Sequence, residues 1–125
     1  MKTKNKTLIY NKTKSKIIET PIKFANSYFS RLKGLMFKSN INYALVFNME
    51  HSKNKHTSSI HTFFMFMDID IYFIDNKMKV FEIARLSPWK VYVPSKKAKY
   101  ILEFKKDSVK NLSLNDEIDF VCENS

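Results

Sequence analysis

The stretch IHTFFMFMDIDIYFIDNKMKVFEI, residues 60–83, decides the fold class of this chain. It holds three short runs rich in apolar residues, 60–65, 69–74 and 78–83, with Asp68 before the second run and Asp75-Asn76-Lys77 before the third. Runs of this length that are rich in Phe, Ile, Val and Tyr are typical of β-strands. The polar triplet Asp75-Asn76-Lys77 predicts a hairpin turn, in which Asn76 tolerates the positive φ that glycine would otherwise supply.

Further strands are predicted on both sides of this stretch. They cover residues 6–10, 17–24, 43–47, 100–104 and 117–122. A helix is predicted at residues 27–37, because Tyr28, Leu32, Leu35 and Met36 recur with the spacing of one helical face. We therefore expect a mainly β fold (α+β by some criteria), a compact curved sheet or barrel of about seven short strands with one short helix.

The size and charge of the chain bound its organisation. With 125 residues, 44% of them hydrophobic, residues 1–125 are expected to form a single β-rich domain. Residues 1–23 hold seven lysines against one acid, so they carry +6 of the net charge of +10. This arm, with residues 1–6 free to be flexible, can either meet an acidic partner or remain a solvated, lysine-rich terminus.

The protein is expected to be cytoplasmic and to make no membrane contact. The lone Cys122 cannot form an intrachain disulfide, which fits a reducing compartment. The longest apolar stretch, residues 60–74, is interrupted by His61, Asp68 and Asp70 and is shorter than the ~18 residues that a membrane helix needs. No apolar run of secretory length follows the basic start.

Four segments together carry a family resemblance. In chain order they are Arg31-Leu32-Lys33-Gly34-Leu35-Met36, Leu45-Val46-Phe47, Ile60-His61-Thr62-Phe63-Phe64-Met65 with Ile69-Asp70, and Leu102-Glu103-Phe104. Over about residues 20–122, the chain resembles the family called domain of unknown function 192 in the order and spacing of these segments. The resemblance implies a compact, mostly β fold with a short helix packed on a curved sheet, and it implies no established activity. Asn115 stands where the family has a glycine before Asp116, a mild change since asparagine tolerates positive φ.

The candidate site is a cleft bordered by the helix, the strand at 60–65 and the Pro88-Trp89 loop. Arg31 and His61 are expected to supply its polar groups, and Phe63, Met65 and Trp89 its apolar walls. The leading hypothesis is a non-catalytic binding module for a small ligand or a protein partner. We expect it to act as a monomer or a weak dimer.

Two alternative functions stay open. A nucleic acid can bind the basic N-terminal arm through charge, although phosphate recognition usually favours arginine over lysine. An enzyme can use His61 with Asp70, which is the less favoured reading because the chain has no recognised nucleophile motif.

No metal and no cofactor are expected. His51, His56 and His61 are spaced by five, which fits the ligand spacing of neither a helix nor a strand. A single glycine excludes the glycine-rich loops that cradle phosphates and dinucleotides.

Four acidic residues are expected to support the structure rather than to react. Asp68 is expected to cap the turn between two strands, and Asp70 to pair with Arg31 or to accept backbone N–H groups. Glu103 is a further candidate for such pairing, and Asp116 occupies the late turn. Arg31 itself can either clamp the fold or bind an anion.

Overall fold

The computed structural model describes residues 5–25, 34–50 and 54–124, which form ten strands in three open sheets. The strands are β1 (Asn5–Asn11), β2 (Lys16–Ile18), β3 (Ile22–Ala25), β4 (Ala44–Asn48), β5 (Ile60–His61), β6 (Ile69–Ile74), β7 (Val80–Leu86), β8 (Val91–Tyr92), β9 (Tyr100–Lys105) and β10 (Ile118–Asn124). A short 3-10 helix covers Lys55–Ser58. The prediction of a compact, mainly β fold is confirmed, and the sheets do not close into a barrel.

The centre of the fold is a five-stranded sheet in the order β3-β4-β9-β6-β7. β3 and β4 are parallel, and the other neighbours are antiparallel. The inner strands β6 and β9 are buried on both faces, including all six residues of β6. Burial on both faces explains why these two strands are nearly continuous apolar runs, interrupted only by Asp70 and Glu103.

Two smaller sheets lie on opposite sides of the central sheet. The three-stranded sheet β10-β1-β2 packs on one face through a cluster that includes Ile9, Ile118 and Leu102. The two-stranded sheet β5-β8 and its neighbouring loops cover the other face, where Leu35 and Met65 join the cluster around β6. This second face holds the candidate site.

Two strands are shorter than predicted. The prediction for residues 60–65 is wrong beyond His61, because β5 ends there and Phe64, with a φ of 62°, turns the chain. The strand predicted at 17–24 is split around Pro21, which lacks the N–H that a sheet ladder requires. The two halves, β2 and β3, belong to different sheets.

The helix predicted at 27–37 falls mostly on residues 26–33, which lie outside the described residues. Its last four residues, 34–37, form a turn in which Gly34 and Phe37 have φ values of 48° and 66°. A left-handed backbone terminates a right-handed helix, so no helix extends to Phe37. Within the described residues, no helix is long and apolar enough to cross a membrane.

Two turn predictions can be compared directly with the backbone. The hairpin at Asp75-Asn76-Lys77 is confirmed, since Asp75 N donates to Lys79 O at 2.9 Å. The positive φ of this turn lies at Met78 (61°) and not at Asn76. Asn115 has a φ of 71°, as its replacement of a glycine predicts.

Candidate functional site

Five ring side chains form a continuous exposed surface beside β5 and β8, which we call the aromatic surface: Phe37, His61, Phe63, Phe64 and Trp89. The His61 ring stacks on Phe63 with centroids 5.2 Å apart, and Phe63 lies 6.0 Å from Trp89. Phe64 contacts both Trp89, at 4.7 Å, and Phe37, at 5.7 Å. The four Phe and Trp rings are open to solvent, with exposures from 38% at Phe63 to 63% at Phe37, whereas His61 is half-buried.

The backbone of this surface is strained at three of its five residues. Phe37, Phe64 and Trp89 have φ values of 66°, 62° and 66°. Bulky side chains disfavour this left-handed region by about 1–2 kcal/mol per residue. The described chain has seven non-glycine residues with positive φ, and the three aromatic ones all lie here. A scarcity of glycine explains substitutes such as Asn115, but it does not explain a choice of aromatic residues.

Hydrogen bonds hold the strained backbone in place. Phe37 N donates to Phe64 O at 2.7 Å, and Phe66 N donates to Lys38 O at 3.0 Å. These two bonds fasten residues 37–38 to residues 64–66, and their donors are satisfied within the protein. The aromatic surface is therefore fixed before any ligand arrives, which reduces the conformational entropy lost on binding.

Thr62 connects the segment that carries Phe63 and Phe64 to the loop that carries Trp89. Its buried hydroxyl donates to Ser87 O at 2.7 Å and accepts from Lys90 N at 2.8 Å. Its backbone carbonyl accepts from Trp89 N at 3.0 Å. The threonine of the family-like segment thus has a clear physical role, because it positions Trp89 beside Phe63 and Phe64.

His61 acts within the surface as a hydrogen-bond acceptor. Its Nδ1 accepts from Phe63 N at 3.2 Å, and on β5 it faces Val91 of β8. In the neutral imidazole this acceptor role leaves the proton on Nε2. The same bond places the Phe63 ring over the imidazole.

The three chain segments that carry the aromatic surface hold basic charges, and the nearest acid along the chain is Asp68, whose Oδ2 lies 4.0 Å from Lys106 Nζ. Residues 34–41, 54–66 and 87–93 contain Lys38, Lys55 and Lys90 and no Asp or Glu. All three lysines are exposed, and Lys38 and Lys90 directly follow Phe37 and Trp89. The surface therefore combines exposed rings with positive charge.

The structure brings together three of the five residues predicted for the site. His61, Phe63 and Trp89 are neighbours, whereas Met65 is 2% exposed and packs in the core. Arg31 lies outside the described residues. Sequence reasoning missed Phe37 as a site residue because its position depends on the backbone turn at residues 34–37.

Phe64 was the second omission. It lies inside the family-like segment at residues 60–65, and the strand predicted there would have directed Phe64 and Phe63 to opposite faces. The positive φ at Phe64 places both rings against Trp89.

A separate polar cluster lies on the central sheet. Arg85 on β7 donates from Nε to Asp70 Oδ1 at 2.6 Å and from Nη2 to Asp70 Oδ2 at 3.0 Å, and it also contacts Asp107. Asp107 N donates to Asp70 Oδ2 at 2.9 Å. Burial opposes the ionisation of Asp70, but the bonds from Arg85 and Asp107 outweigh it and hold the pKa of this carboxyl below its usual value.

From the sequence, Asp70 is expected to pair with Arg31 or to accept backbone N–H groups, and the second is found, from Asp107 N. Asp70 also pairs with Arg85, the residue opposite it on the neighbouring strand, whereas Arg31 lies outside the described residues. Among the described residues, none of the hydrogen bonds of Asp70 goes to His61. A carboxylate held in this way with a lowered pKa is a poor proton acceptor, so the geometry offers nothing to support the His61–Asp70 enzyme.

Asp116 holds a turn through its side chain, whereas the Asp68 carboxylate lies 4.0 Å from Lys106 Nζ, and its capping of a turn stays a prediction. Asp116 Oδ2 accepts from Asn11 Nδ2 at 2.8 Å and from Ser113 N at 2.9 Å, and it lies 3.1 Å from Lys14 Nζ. Burial is again outweighed by these bonds, and the pKa of Asp116 is lowered. Asp68 contributes its carbonyl to Lys106 N at 3.2 Å.

Glu103 is the exception among the acidic residues. It is 1% exposed on the central strand β9, between Leu45 of β4 and Ile71 of β6. Its Oε1 has no hydrogen-bond partner in the described structure. Burial alone raises the pKa of this carboxyl to about 8, so it is protonated at neutral pH.

Other parts of the described chain do not add to the candidate site. No group of three or more His, Cys, Asp or Glu side chains is arranged there to hold a metal ion. A cleft of about 680 Å³ lies between residues 15–20 and 108–111. It is open, and His61, Phe63, Met65 and Trp89 are not among its lining residues.

Fold and geometry together define a class: a small β-sheet protein whose candidate site is an aromatic surface on three hydrogen-bonded segments. The model of the DUF192 family, described as "Uncharacterized ACR, COG1430", matches residues 9–120. The chain belongs to this family, and the resemblance seen in the sequence is confirmed.

Archaeal relatives carry the name UPF0127 protein. The one from Thermococcus sibiricus is 41% identical over 118 residues, which cover 93% of this chain and 76% of the relative. The one from Pyrococcus horikoshii is 38% identical over 96 residues, covering 77% of this chain and 82% of the relative. The one from Thermococcus kodakarensis is also 38% identical over 96 residues, but there the match covers 77% of this chain and only 60% of the relative.

Two solved structures share the fold. A proposed transcription regulator from Sinorhizobium meliloti superposes with a TM-score of 0.79 at 14% identity, covering 96% of each chain. A protein of unknown function from Novosphingobium aromaticivorans gives 0.74 at 14% identity, covering 91% of this chain and 83% of the other. At this identity the likeness extends to the fold alone.

Proposed function

We propose that this protein is a non-catalytic binding module that engages its ligand through the aromatic surface. The observation that carries the proposal is the exposure of Phe37, Phe64 and Trp89 on one surface, each on a left-handed backbone. Strain of this kind persists only where surrounding contacts enforce it, and it concentrates at functional sites.

Contiguous apolar surface on a small protein is a second support. Exposure of aromatic rings to water is energetically unfavourable. Continuous patches of exposed rings therefore mark sites that bind ligands or partners. The backbone donors of Phe37, Phe66 and Trp89 already have partners. Binding at the aromatic surface would therefore use side chains and not the addition of a strand.

The proposal modifies the site expected from the sequence. Phe37 and Phe64 replace Met65 as apolar groups, while His61, Phe63 and Trp89 keep their places. Arg31 remains a proposed polar contributor. The lone Cys122 supports a further proposal, that the protein works in the reducing cytoplasm.

The test is ligand screening by amide-shift NMR with small anions, sugars, peptides and oligonucleotides. We expect at least one class to shift the signals of Phe37, Phe63, Phe64 and Trp89 together. The variant Phe64→Asn should weaken that binding at least about fivefold, because it removes a ring while asparagine keeps the positive φ.

The matched control is Phe24→Ala. Phe24 is also exposed, at 42%, but it packs edge-on against Phe120 elsewhere in the fold. Its removal should leave binding unchanged. Ligand shifts confined to other residues, or equal losses in both variants, would contradict the proposed site.

The nucleic-acid alternative through the N-terminal arm stays a prediction. Residues 1–4 lie outside the described residues, and no contact of the described chain favours the arm over the aromatic surface. Monomer or weak dimer likewise stays a prediction.

A further inference from the structure

The aromatic surface has a composition that restricts the chemistry of its ligand. It offers four exposed Phe or Trp rings and an imidazole, and the three segments that carry it contain lysines without a single acid. An occupant must therefore supply apolar, preferably planar, groups together with negative charge. We propose that this occupant is single-stranded nucleic acid, an inference that rests on the proposed function above.

Base stacking accounts for the rings. In unpaired nucleic acid each base has a free π-face, and stacking on an aromatic side chain contributes about 1–3 kcal/mol per base. The Phe37–Phe64 and Thr62–Trp89 hydrogen bonds fix the backbone that carries these rings, which reduces the cost of ordering on binding. Phe37, Phe64 and Trp89 are 44–63% exposed, whereas Phe63 has one face stacked on His61. In a duplex the bases are stacked on one another, so these rings gain nothing from it.

The lysines provide positive charge that attracts the phosphate groups of the proposed ligand. Lys38 and Lys90 directly follow two of the exposed rings, and both lysines are exposed, so positive charge adjoins the aromatic surface along the chain. Each lysine contributes charge without the forked geometry that reads base edges. Among the described residues the arginine with that geometry is Arg85, and it is bound to Asp70 and Asp107. Binding should therefore be tolerant of base sequence and sensitive to salt.

The chain carries its own reporter for this test, because Trp89 is its only tryptophan and belongs to the surface. Oligothymidine, a duplex of the same length and vesicles of phosphatidylglycerol are each titrated while Trp89 fluorescence is measured. We expect quenching by the oligothymidine and a much weaker response to the duplex. With two or three phosphate contacts, affinity should fall about 7- to 20-fold between 50 and 200 mM salt.

Variants separate the contribution of base stacking from that of the lysine charges. Phe64→Asn should weaken oligothymidine binding about 5- to 150-fold, as expected from the loss of one stacked base. Replacing Lys38 and Lys90 by alanine should reduce the salt dependence and leave the quenching at saturation unchanged. Phe24→Ala should bind as the unchanged protein does, and circular dichroism melting establishes that each variant is folded.

The outcomes separate this inference from the proposed function. If oligothymidine does not quench Trp89 while another ligand class shifts the same residues by NMR, the nucleic-acid inference is wrong and the binding module stands. A Trp89 blue shift with vesicles alone points to an anionic lipid surface and also overturns it. If no ligand class acts at the aromatic surface, both proposals fail.

Discussion

Asp70 and Glu103 are buried carboxyl groups on the adjacent strands β6 and β9, and their surroundings are opposite. Asp70 pairs across the sheet with Phe104, and Glu103 pairs with Ile71, so the two side chains lie on opposite faces. Asp70 has three hydrogen bonds and a lowered pKa. Glu103 has an oxygen without a hydrogen-bond partner and a raised pKa. Burial alone does not set the charge of an acid, because the partners decide it.

The position of each strand explains the difference. Asp70 lies next to β7 at the edge of the sheet, where Arg85 reaches it while remaining half exposed to water. Glu103 lies on the central strand, and its neighbours on both sides, Leu45 and Ile71, are apolar core residues. A charge at Glu103 would have neither water nor a counter-ion.

The largest expected effect is therefore the pH dependence that Glu103 confers. Its folded pKa, about 8, lies above the ordinary value of 4.5, so the folded state holds the proton more tightly. The stability that this group contributes is complete at a pH below its ordinary pKa of 4.5, and it is lost as the pH rises through its folded pKa of about 8. A shift of this size corresponds to up to about 5 kcal/mol of unfolding free energy.

Chemical denaturation of the protein and of Glu103→Gln at about pH 5 and about pH 9 measures this effect. The amide cannot ionise, so the variant should lack the alkaline loss of stability. Equal pH slopes in the two proteins would show that Glu103 is paired or hydrated and would remove the contrast with Asp70.

A smaller effect is expected from Asp70→Asn. The substitution removes the ion pair with Arg85 and should lower the free energy of unfolding at neutral pH by about 1–3 kcal/mol. Since the folded pKa of Asp70 is lowered, its contribution is present above the ordinary value of 3.8 and is lost as the pH falls through the folded value. The difference between protein and variant should therefore disappear in acid, and a difference that persists there would indicate a packing effect.

Asp107→Asn should have the smallest effect, below about 1 kcal/mol, because this partner of Arg85 has a 68% exposed side chain. Asparagine tolerates the φ of 62° at this position and keeps the N–H that Asp70 accepts. Thermal melting in low and high salt measures the change. A loss as large as that of Asp70→Asn would mean that the outer ion pair contributes as much as the buried one.

The fold class could be predicted because apolar runs and turn residues are local signals. β6, β9 and the hairpin at residues 75–77 follow directly from such patterns. The ends of strands could not be predicted equally well. At His61 the chain leaves the sheet because Thr62 bonds to Ser87 and Lys90, which lie far along the sequence. Apolar periodicity contains no information about such contacts.

The candidate site could be predicted only in part for the same reason. His61, Phe63 and Trp89 were identifiable from residue type. Phe37 and Phe64 join them because their backbone is left-handed, a conformation that is disfavoured for phenylalanine and so is not expected from the sequence. The pairing of Asp70 with Arg85 depends on strand register. The isolation of Glu103 depends on all its neighbours together.

The pairing of β1 with β10, which sets Asn5 beside Asn124, has a consequence during synthesis. Ile9 and Ile118 meet in the cluster that shields one apolar face of the central sheet. A ribosome delivers β1 before the strands of the central sheet and β10 after them. That face therefore stays open to chaperones or to other nascent chains until β10 has emerged, and closure of this three-stranded sheet follows synthesis of the central one.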